Sequence, residues 1–237
     1  MSEKYDRVIA SHYSAYRPPL HDKILKYVIS ENEIFFDGLD VGCGTGYSTI
    51  ALAKYCSQVY GVEPSESMLL EATTNDKITY YQGYGSEMPI DDSSVDIVTF
   101  AGSLSYAKSP VLVEELRRVC RKPAIIIPYD FEVLLDGILA RHGIDLKKPE
   151  CYYNHRENFS HDSNFIEIVD DRQQIDFELR AFELAHVLLS SSSIYDAIVE
   201  KFASLDVFSI LVDKLESSQR LYTLKANIYF SRYRLNC

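Results

Sequence analysis

The chain of 237 residues lacks several features that would place it outside the cytoplasm. It has no run of apolar residues close to the ~18 that a membrane-spanning helix requires. Residues 1–13, MSEKYDRVIASHY, contain no apolar stretch of the kind that directs secretion. None of the five cysteines belongs to a CxxC pair. We therefore expect a cytoplasmic protein with reduced thiols and no membrane partner.

Candidate metal ligands are also scarce. Cys151, His155 and His161 are spaced C-x3-H-x5-H. A structural zinc site needs four ligands that a tight turn brings together, and no fourth ligand is evident in this stretch. These three residues are better interpreted as surface or pocket-lining side chains, and we predict no metal site.

Basic residues are outnumbered: the chain has 24 Lys and Arg against 35 Asp and Glu, for a formal net charge of −11. A nucleic acid is bound through a basic face, so we expect no nucleic-acid partner. The hydrophobic share of 46% and the charged share of 25% are typical of a soluble globular protein. The length suits one sizeable domain, and we predict a single domain over residues 1–237.

The pattern around which the sequence is organised is GLDVGCGTGYST, residues 38–49. An apolar run leads into Gly42, Gly44 and Gly46, and a helical pattern follows them. Glycine permits positive φ and lets a ligand approach the backbone closely. The following helix presents unpaired N–H groups and the positive end of its dipole. We predict that this turn holds an adenosine-type ligand through a negative or polar group.

An acid follows at the end of the next predicted strand. The stretch QVYGVEPSESML, residues 58–70, is typical of a strand that ends at an acid and leads into a helix. Glu63 lies 17 residues after Gly46. A carboxylate in this position can accept hydrogen bonds from both ribose hydroxyls of a nucleoside. Ser65 is predicted to cap the helix that follows.

The third glycine of the dinucleotide fingerprint GxGxxG is missing, because Tyr47 stands in its place. The spacing LDVGCGTG instead resembles the first motif of the class I S-adenosylmethionine-dependent methyltransferases, of the type 11-like, small-molecule branch. The resemblance extends to Glu63, to YGSEMPIDDSSVDIVTF at 84–100 and to LVEELRRVCRKPAIIIP at 112–128. It covers about residues 5–130, with four motifs in the family's order.

The resemblance implies an α/β fold with S-adenosylmethionine as cofactor. The expected architecture is a Rossmann-like seven-stranded, mostly parallel sheet with helices on both faces, an antiparallel last strand and a cap insertion after strand five. We divide the chain into an N-terminal helical lid at 1–33, a cofactor-binding core at 34–130, a substrate cap at 131–175 and the C-terminal part of the sheet at 176–237. The N-terminal segment has an alternative interpretation, a packing helix that covers the sheet edge.

The resemblance also implies which residues contact the cofactor. They lie in the glycine turn, after strands two, three and four, and in the N-terminal segment. They are Asp40, Gly42, Cys43, Gly44, Gly46, Glu63, Pro64, Met68, Tyr84, Gly85, Ser86, Ala101, Gly102, Ser103, Tyr13 and Arg17. Asp40 has two interpretations: an acid near the cofactor's amino group, or an acid that stabilises the turn.

Apolar periodicity predicts the remaining elements. The predicted helices are 20–30, 110–120, 131–142 and 194–215. The predicted strands are 34–41, 77–83, 96–102, 124–128, the later half of 176–190 and, as an edge strand, 221–233.

The stretch after the fourth strand, AGSLSY at 101–106, lacks the Asn/Asp-Pro-Pro-Tyr motif of the amino-methyltransferase branch. We therefore do not expect methylation of adenine or glutamine amino groups. We predict methyl transfer to a small-molecule acceptor by in-line displacement, with the O, N or C atom open. Positioning of the reactants supplies about 7–11 kcal/mol in such reactions, so no general base is required. If the acceptor has to lose a proton, His12, Tyr13 and Tyr106 are the candidate bases.

Two other functions stay open. One is a regulatory or scaffold protein that binds S-adenosylmethionine without transferring its methyl group. The other is a nicotinamide oxidoreductase, which Tyr47 disfavours. The protein is expected to be a monomer or a homodimer.

Overall fold

The structure is a computed structural model that describes residues 8–236, except 10, 14, 145, 147–152 and 205. The chain forms two compact units, which we call the core unit and the helical unit. The core unit consists of Pro19–Glu132, Tyr153–Gln173 and Ile228–Cys237. The helical unit consists of Met1–Pro18, Val133–Tyr152 and Gln174–Asn227.

The strands form one seven-stranded sheet in the order β3-β2-β1-β4-β5-β7-β6. They are β1 Phe35–Val41, β2 Cys56–Glu63, β3 Ile78–Gln82, β4 Val95–Ala101, β5 Cys120–Leu134, β6 Phe165–Arg180 and β7 Leu221–Leu235. The first five strands pair in parallel, and β5, β7 and β6 are antiparallel neighbours. This arrangement confirms the predicted α/β Rossmann-like sheet with its antiparallel last strand.

Helices precede β1 and separate several of the strands along the described chain. They are α1 Leu20–Val28, α2 Tyr47–Leu52, α3 Glu66–Leu70, α4 Leu104–Ala107, α5 Pro110–Val119, α6 Asp136–Arg141, α7 Ala181–Leu189, α8 Ser192–Phe202 and α9 Val207–Ser218. Residues 8, 9, 11–13 and 15 are also helical. The predicted cap is confirmed, since Ser65 Oγ accepts from Met68 N, and Ser109 Oγ caps α5 in the same way by accepting from Leu112 N.

The core of the core unit lies along β1, β4 and β5. The side chains of Leu39, Val98, Phe100 and Ile126 have almost no exposed surface. Parallel strands of this kind are covered on both faces and are therefore continuously apolar. Their carboxyl ends, where β1 leads into the glycine turn and β4 leads into α4, form the edge at which ligands bind in such sheets.

The predicted helix at 131–142 is wrong over its first part. Residues 131–134 continue β5 to Leu134, and the helix is limited to Asp136–Arg141. The four residues FEVL include Phe and Val, which suit strands, and a short apolar run does not show its period. Pairing within the sheet therefore decides the conformation here.

The predicted strand in the later half of 176–190 is also wrong, because Ala181–Leu189 is helix α7. The strand is the preceding segment, Phe165–Arg180. Seven of the nine α7 residues are buried, so the apolar pattern shows no polar face to mark a helix. A start signal was present: Glu183 Oε2 accepts from the backbone N–H of Arg180 at 2.7 Å, as an acid at the third helical position does.

Two further predictions need correction. The helix predicted at 194–215 is split into α8 and α9, because Ala203 ends α8 in the left-handed conformation, with φ of 47°, and Asp206 caps α9. The last strand was expected at the sheet edge, but β7 lies between β5 and β6. Its alternating pattern reflects alternate burial along the strand and not an edge position.

Candidate active site

The glycine turn joins β1 to α2. Gly42, Gly44 and Gly46 all have positive φ, at 72°, 54° and 84°. A Cβ on Gly46 would lie 2.1 Å from the hydroxyl oxygen of Tyr80, so this glycine is required by packing within the protein. A Cβ on Gly44 would meet no atom within 4 Å. The turn is therefore closed at Gly46 and open at Gly44, where a ligand can reach the backbone.

The carboxylate of Glu63 is fixed against this turn. Its Oε2 accepts from the backbone N–H of Gly44 at 3.0 Å, and its Oε1 accepts from the backbone N–H of Ser65 at 3.0 Å. Each carboxylate oxygen can accept a second hydrogen bond. The acid that the sequence singled out is thus held beside the open side of the turn, with acceptor capacity left for hydroxyl groups.

Asp40 lies beneath the turn and is fully buried. Its Oδ2 accepts from Ser48 Oγ at 2.5 Å and from Thr49 Oγ1 at 2.8 Å. Its Oδ1 accepts from Thr99 Oγ1 at 2.9 Å. Burial raises the pKa of this carboxyl, and the three hydroxyl donors partly offset that rise. These contacts favour the turn-stabilising interpretation, and a role at a cofactor amino group stays a prediction.

The end of β4 is joined directly to the glycine turn. Ser103 Oγ donates to the carbonyl oxygen of Val41, and a Cβ on Gly42 would lie 2.5 Å from Ser103 Cβ. Gly102 has a φ of 76°, and its N–H donates to the carbonyl of Tyr129 at 2.8 Å. Ala101, Gly102 and Ser103 therefore border the turn, and their contact with the cofactor stays a prediction.

The loop after β3 is largely exposed. Tyr84 is 64% exposed, and Ser86 is exposed as well. Gly85 faces Leu112 Cδ1, which a Cβ would approach to 3.1 Å. Met88, in the same loop, is buried in the hydrophobic core, so its side chain is not available to pack on an adenine ring.

The other cofactor-contact candidates of the core unit differ in exposure. Pro64 is exposed and Met68 is half-buried. The side chain of Cys43 is buried, and burial raises the pKa of its thiol, so only its backbone is suited to a polar contact. Tyr106, a candidate base, is 82% exposed.

His12, Tyr13 and Arg17 belong to the helical unit. Arg17 Cζ lies 3.7 Å from the ring centroid of Tyr13, in a cation–π contact. His12 Nδ1 lies 2.9 Å from His186 Nδ1, and its ring stacks on Phe208. The packing of His12 favours a structural role. The cofactor and catalytic roles of these three residues stay predictions.

One cluster in the core unit was missed. Asp130, Tyr153 and His155 contact one another beside Gly102. Asp130 could have been noticed as an acid just after the buried run IIIPY. His155 was interpreted from the sequence as a surface or pocket-lining residue, and it does line a pocket, but nothing in the sequence indicated its partners Asp130 and Tyr153. Cys151 lies outside the described residues. Among the residues that are described, no group of three or more His, Cys, Asp or Glu is placed to hold a metal ion.

The residues of the turn fit an adenosine-type cofactor. The open face of Gly44 would be filled by any side chain, and the fixed carboxylate of Glu63 provides acceptors beside it. A glycine turn after β1 and an acid at the end of β2, in a sheet of this order, define the class I S-adenosylmethionine-dependent methyltransferase architecture.

Comparison with known proteins agrees with this class. Residues 39–127 match the family model described as a methyltransferase domain. The domain match, the methyltransferase relatives and the fold support a class I S-adenosylmethionine-dependent methyltransferase of this type, with S-adenosylmethionine as cofactor.

Two sequence relatives show how far the similarity extends. A Dictyostelium discoideum protein described as a methyltransferase is 28% identical over 127 residues, which are 53% of this chain and 48% of that protein. The demethylmenaquinone methyltransferase of Staphylococcus aureus is 34% identical over 97 residues, 38% of this chain and 40% of the enzyme. The chain thus matches less than half the length of these relatives.

A solved structure has a similar fold. A protein from Anaeromyxobacter dehalogenans described as a type II methyltransferase superposes with a TM-score of 0.66 at 21% identity, over 94% of this chain and 98% of that one. At this identity the likeness concerns the fold alone. No helix in the described part of the chain has the length and apolar character needed to cross a membrane.

Proposed function

We propose that this protein transfers a methyl group from S-adenosylmethionine to a small-molecule acceptor. The observation that carries the proposal is the carboxylate of Glu63, fixed at 3.0 Å from the N–H of Gly44, where the turn is open. The match of residues 39–127 to a methyltransferase domain supports it further.

In this proposal the chain's own residues bind and orient the reactants. Glu63 accepts hydrogen bonds from the ribose hydroxyls, and the backbone at Gly42 to Gly46 allows close approach. Ala101, Gly102 and Ser103, at the carboxyl end of β4, border the reacting centre. When bound, S-adenosylmethionine supplies an electrophilic methyl group on a good leaving group. Alignment of the acceptor is then the main task of the protein.

The remaining assignments belong to the same proposal. Tyr13 and Arg17 contact the cofactor from the segment 1–33, which acts as a lid, and 131–175 covers the acceptor. Pro64, Met68, Tyr84, Gly85 and Ser86 surround the adenosine part. The protein is a single functional domain in the cytoplasm, as a monomer or homodimer.

The choice of a small molecule rests on charge and on relatives. A formal net charge of −11 disfavours a nucleic-acid acceptor. One relative carries the name demethylmenaquinone methyltransferase. Because only 38% of this chain matches that enzyme, we propose a small acceptor and not that particular substrate.

The test is calorimetric titration of the purified chain with S-adenosylhomocysteine, with NADH in parallel. We expect micromolar binding of S-adenosylhomocysteine and none of NADH. A panel of small hydroxyl, amine and carboxylate compounds is then screened for release of S-adenosylhomocysteine from S-adenosylmethionine. Binding without turnover on any acceptor would contradict the transferase proposal in favour of a binding protein, and NADH binding alone would contradict the cofactor class.

A further inference from the structure

A histidine and an aspartate form a fixed pair at the end of β5. His155 Nδ1 lies 2.8 Å from Asp130 Oδ2. The other oxygen of the carboxylate, Oδ1, accepts from the backbone N–H of Phe131 at 2.7 Å. An ionised carboxylate only accepts hydrogen bonds, so Nδ1 carries the proton. In the neutral ring the lone pair is then on Nε2, which is the nitrogen that can take up a proton.

The imidazole is also held by its neighbours. It stacks on Tyr229, with centroids 5.9 Å apart and planes inclined by 15°. The ring of Tyr153 packs against it edge to face at 4.7 Å. The His155 side chain nevertheless keeps 30% of its surface exposed, and a small molecule can reach it.

This cluster adjoins the candidate active site. Tyr153 Oη donates to the carbonyl oxygen of Gly102 at 2.5 Å. Asp130 Oδ1 would lie 3.1 Å from a Cβ on Gly102. Gly102 precedes Ser103, which is hydrogen-bonded to Val41 at the start of the glycine turn. A continuous series of contacts thus leads from the turn to the imidazole.

His155 helps to line a small, partly open surface pocket in the same region. Phe100, Gly102, Tyr129, Asp130 and Glu157 also line it. Its carboxylates are already paired: Asp130 with His155, and Glu157 with Lys108 Nζ at 2.6 Å. Among the described residues that line it, no unpaired carboxylate is left for an ammonium group and no cation for a carboxylate. The imidazole, with the rings of Tyr153 and Tyr229 packed against it, supplies the basic nitrogen.

We propose that His155 is the general base of the reaction, oriented by Asp130, and that the acceptor is a neutral hydroxyl compound of the phenol type. This inference rests on the proposed methyl transfer. Nε2 takes the hydroxyl proton, and an electron pair of the oxygen forms the new bond to the methyl carbon. The pair of the broken carbon–sulfur bond stays on sulfur, which loses its positive charge, and the proton leaves His155 to solvent. A carboxylate acceptor is already ionised and would need no such base.

The electrostatics of the site agree with this role. The hydrogen bond to Asp130 raises the pKa of His155 above its ordinary value, burial opposes the rise, and the charges of Asp130 and Glu132 add to it. A base whose pKa lies close to the working pH is the most effective. The charged and titratable groups that face the ring, or line a pocket with it, are Tyr129, Asp130, Glu132, Tyr153, Arg156, Glu157, Asp170, Asp171 and Tyr229.

The test compares His155→Asn with His161→Asn. Asparagine at 155 keeps an N–H that can donate to Asp130 but has no titratable nitrogen. His161 is exposed and lies in the same segment, which makes it a matched control. The probe is 4-nitrocatechol, which is coloured when ionised, added with saturating S-adenosylhomocysteine at a mildly acidic pH. We expect the wild type and His161→Asn to bind the ionised probe, and His155→Asn to lose most of that colour.

A second readout tests Asp130 as a positioning residue. We expect the pKa of His155, followed by NMR, to fall in Asp130→Asn, whose amide oxygen can still accept from Phe131 N–H. Three outcomes would each overturn the inference. The probe could ionise equally in His155→Asn and in the wild type, or the wild type could fail to bind it. The third outcome is a His155 pKa that stays unchanged in Asp130→Asn. The affinity for S-adenosylhomocysteine, measured on the same samples, distinguishes failure of the inference about His155 from failure of the proposed function. If the wild type does not bind S-adenosylhomocysteine, the proposed function fails as well; if it binds, these outcomes overturn only the inference about His155.

Discussion

The carboxylate of Glu63 accepts a hydrogen bond from the backbone N–H of Gly44, with 3.0 Å between Oε2 and the nitrogen. The acid of β2 is thereby in direct contact with the open part of the glycine turn. We expect Glu63→Ala to weaken S-adenosylhomocysteine binding roughly ten- to hundredfold. Hydrogen bonds to a charged group contribute about 1.5–3 kcal/mol, which corresponds to this range. Isothermal titration calorimetry measures the change.

The matched control is Glu71→Ala, which removes an exposed acid at the end of α3. It should leave the affinity unchanged. Thermal unfolding of both variants checks that the turn remains folded without the Glu63 carboxylate. A folded Glu63→Ala protein with wild-type affinity would rule out the ribose assignment.

Gly44 and Gly46 separate a binding effect from a stability effect. Gly44→Ala adds a methyl group where no atom lies within 4 Å, so its cost in folding is the positive φ alone, about 1–2 kcal/mol. Gly46→Ala adds the same strain and a contact of 2.1 Å with the Tyr80 hydroxyl. That hydroxyl donates to the carbonyl of Thr73 at 2.9 Å, which restrains its movement. We expect Gly46→Ala to be clearly less stable than Gly44→Ala.

Gly44→Ala, the more stable of the two variants, should nevertheless bind S-adenosylhomocysteine weakly. The methyl group of Gly44→Ala occupies the open side of the turn, so S-adenosylhomocysteine affinity should fall at least tenfold in a protein that is still folded. Urea denaturation and calorimetry on the same samples give both quantities. If Gly44→Ala binds as tightly as the wild type, the open face is not the ligand's position.

The helices and strands that were predicted correctly are marked by residues that lie close together in the sequence. Ser109 and Pro110 mark the start of α5, and the glycine turn marks the end of β1, within a few residues of the chain. The antiparallel part has no such signals. Residues 131–134 become strand only because the sheet pairs them, and α7 is buried so completely that its period is hidden.

In the candidate site, too, some residues could be identified from the sequence and others only from the folded chain. Glu63 and the three glycines could be recognised by spacing alone. The partners of Asp40 could not all be recognised: Ser48 and Thr49 are nearby in sequence, but Thr99 lies 59 residues away. The pairing of Asp130 with His155 also depends on the folded chain, since 25 residues separate them.

Asp40 should have a measurable effect on stability. Asp40→Ala leaves the buried hydroxyls of Ser48, Thr49 and Thr99 without their acceptor, at a cost of about 1–3 kcal/mol for each group that stays unpaired. Asp40→Asn keeps an oxygen for two of these donors, and its N–H group can donate to the third hydroxyl. We therefore expect Asp40→Asn to be much more stable than Asp40→Ala.

The pH dependence of the free energy of unfolding, compared between the wild type and Asp40→Asn, tests whether the pKa of Asp40 is raised in the folded protein. Burial raises the folded pKa of Asp40 above the ordinary value of 3.8. The folded state then holds this proton more tightly than the unfolded chain. The stabilisation that comes from holding this proton is fully present below pH 3.8 and is lost as the pH rises through the raised folded pKa. The free energy of unfolding of the wild type, minus that of Asp40→Asn, should therefore fall over this window in urea titrations. A constant difference would contradict the raised pKa.

The histidine pair of the helical unit should make the protein sensitive to acid. His12 Nδ1 and His186 Nδ1 lie 2.9 Å apart, so one nitrogen must donate and the other must accept. Burial lowers the pKa of both residues, and the charge of His186 lowers that of His12 further. The unfolded histidines take up protons below about 6.5 more readily than the folded pair does.

The stabilisation from the pair is therefore present above 6.5, the ordinary histidine value, and is lost as the pH falls towards the lower folded values. His12→Gln removes one titrating ring and keeps a group that can hydrogen-bond to His186. We expect the free energy of unfolding of this variant to decline less between pH 6.5 and mildly acidic conditions than that of the wild type. His161→Gln, at an exposed position, should decline as the wild type does. If His12→Gln and the wild type lose stability equally, the pair does not cause the acid sensitivity, because removal of one partner must change the number of protons taken up on unfolding.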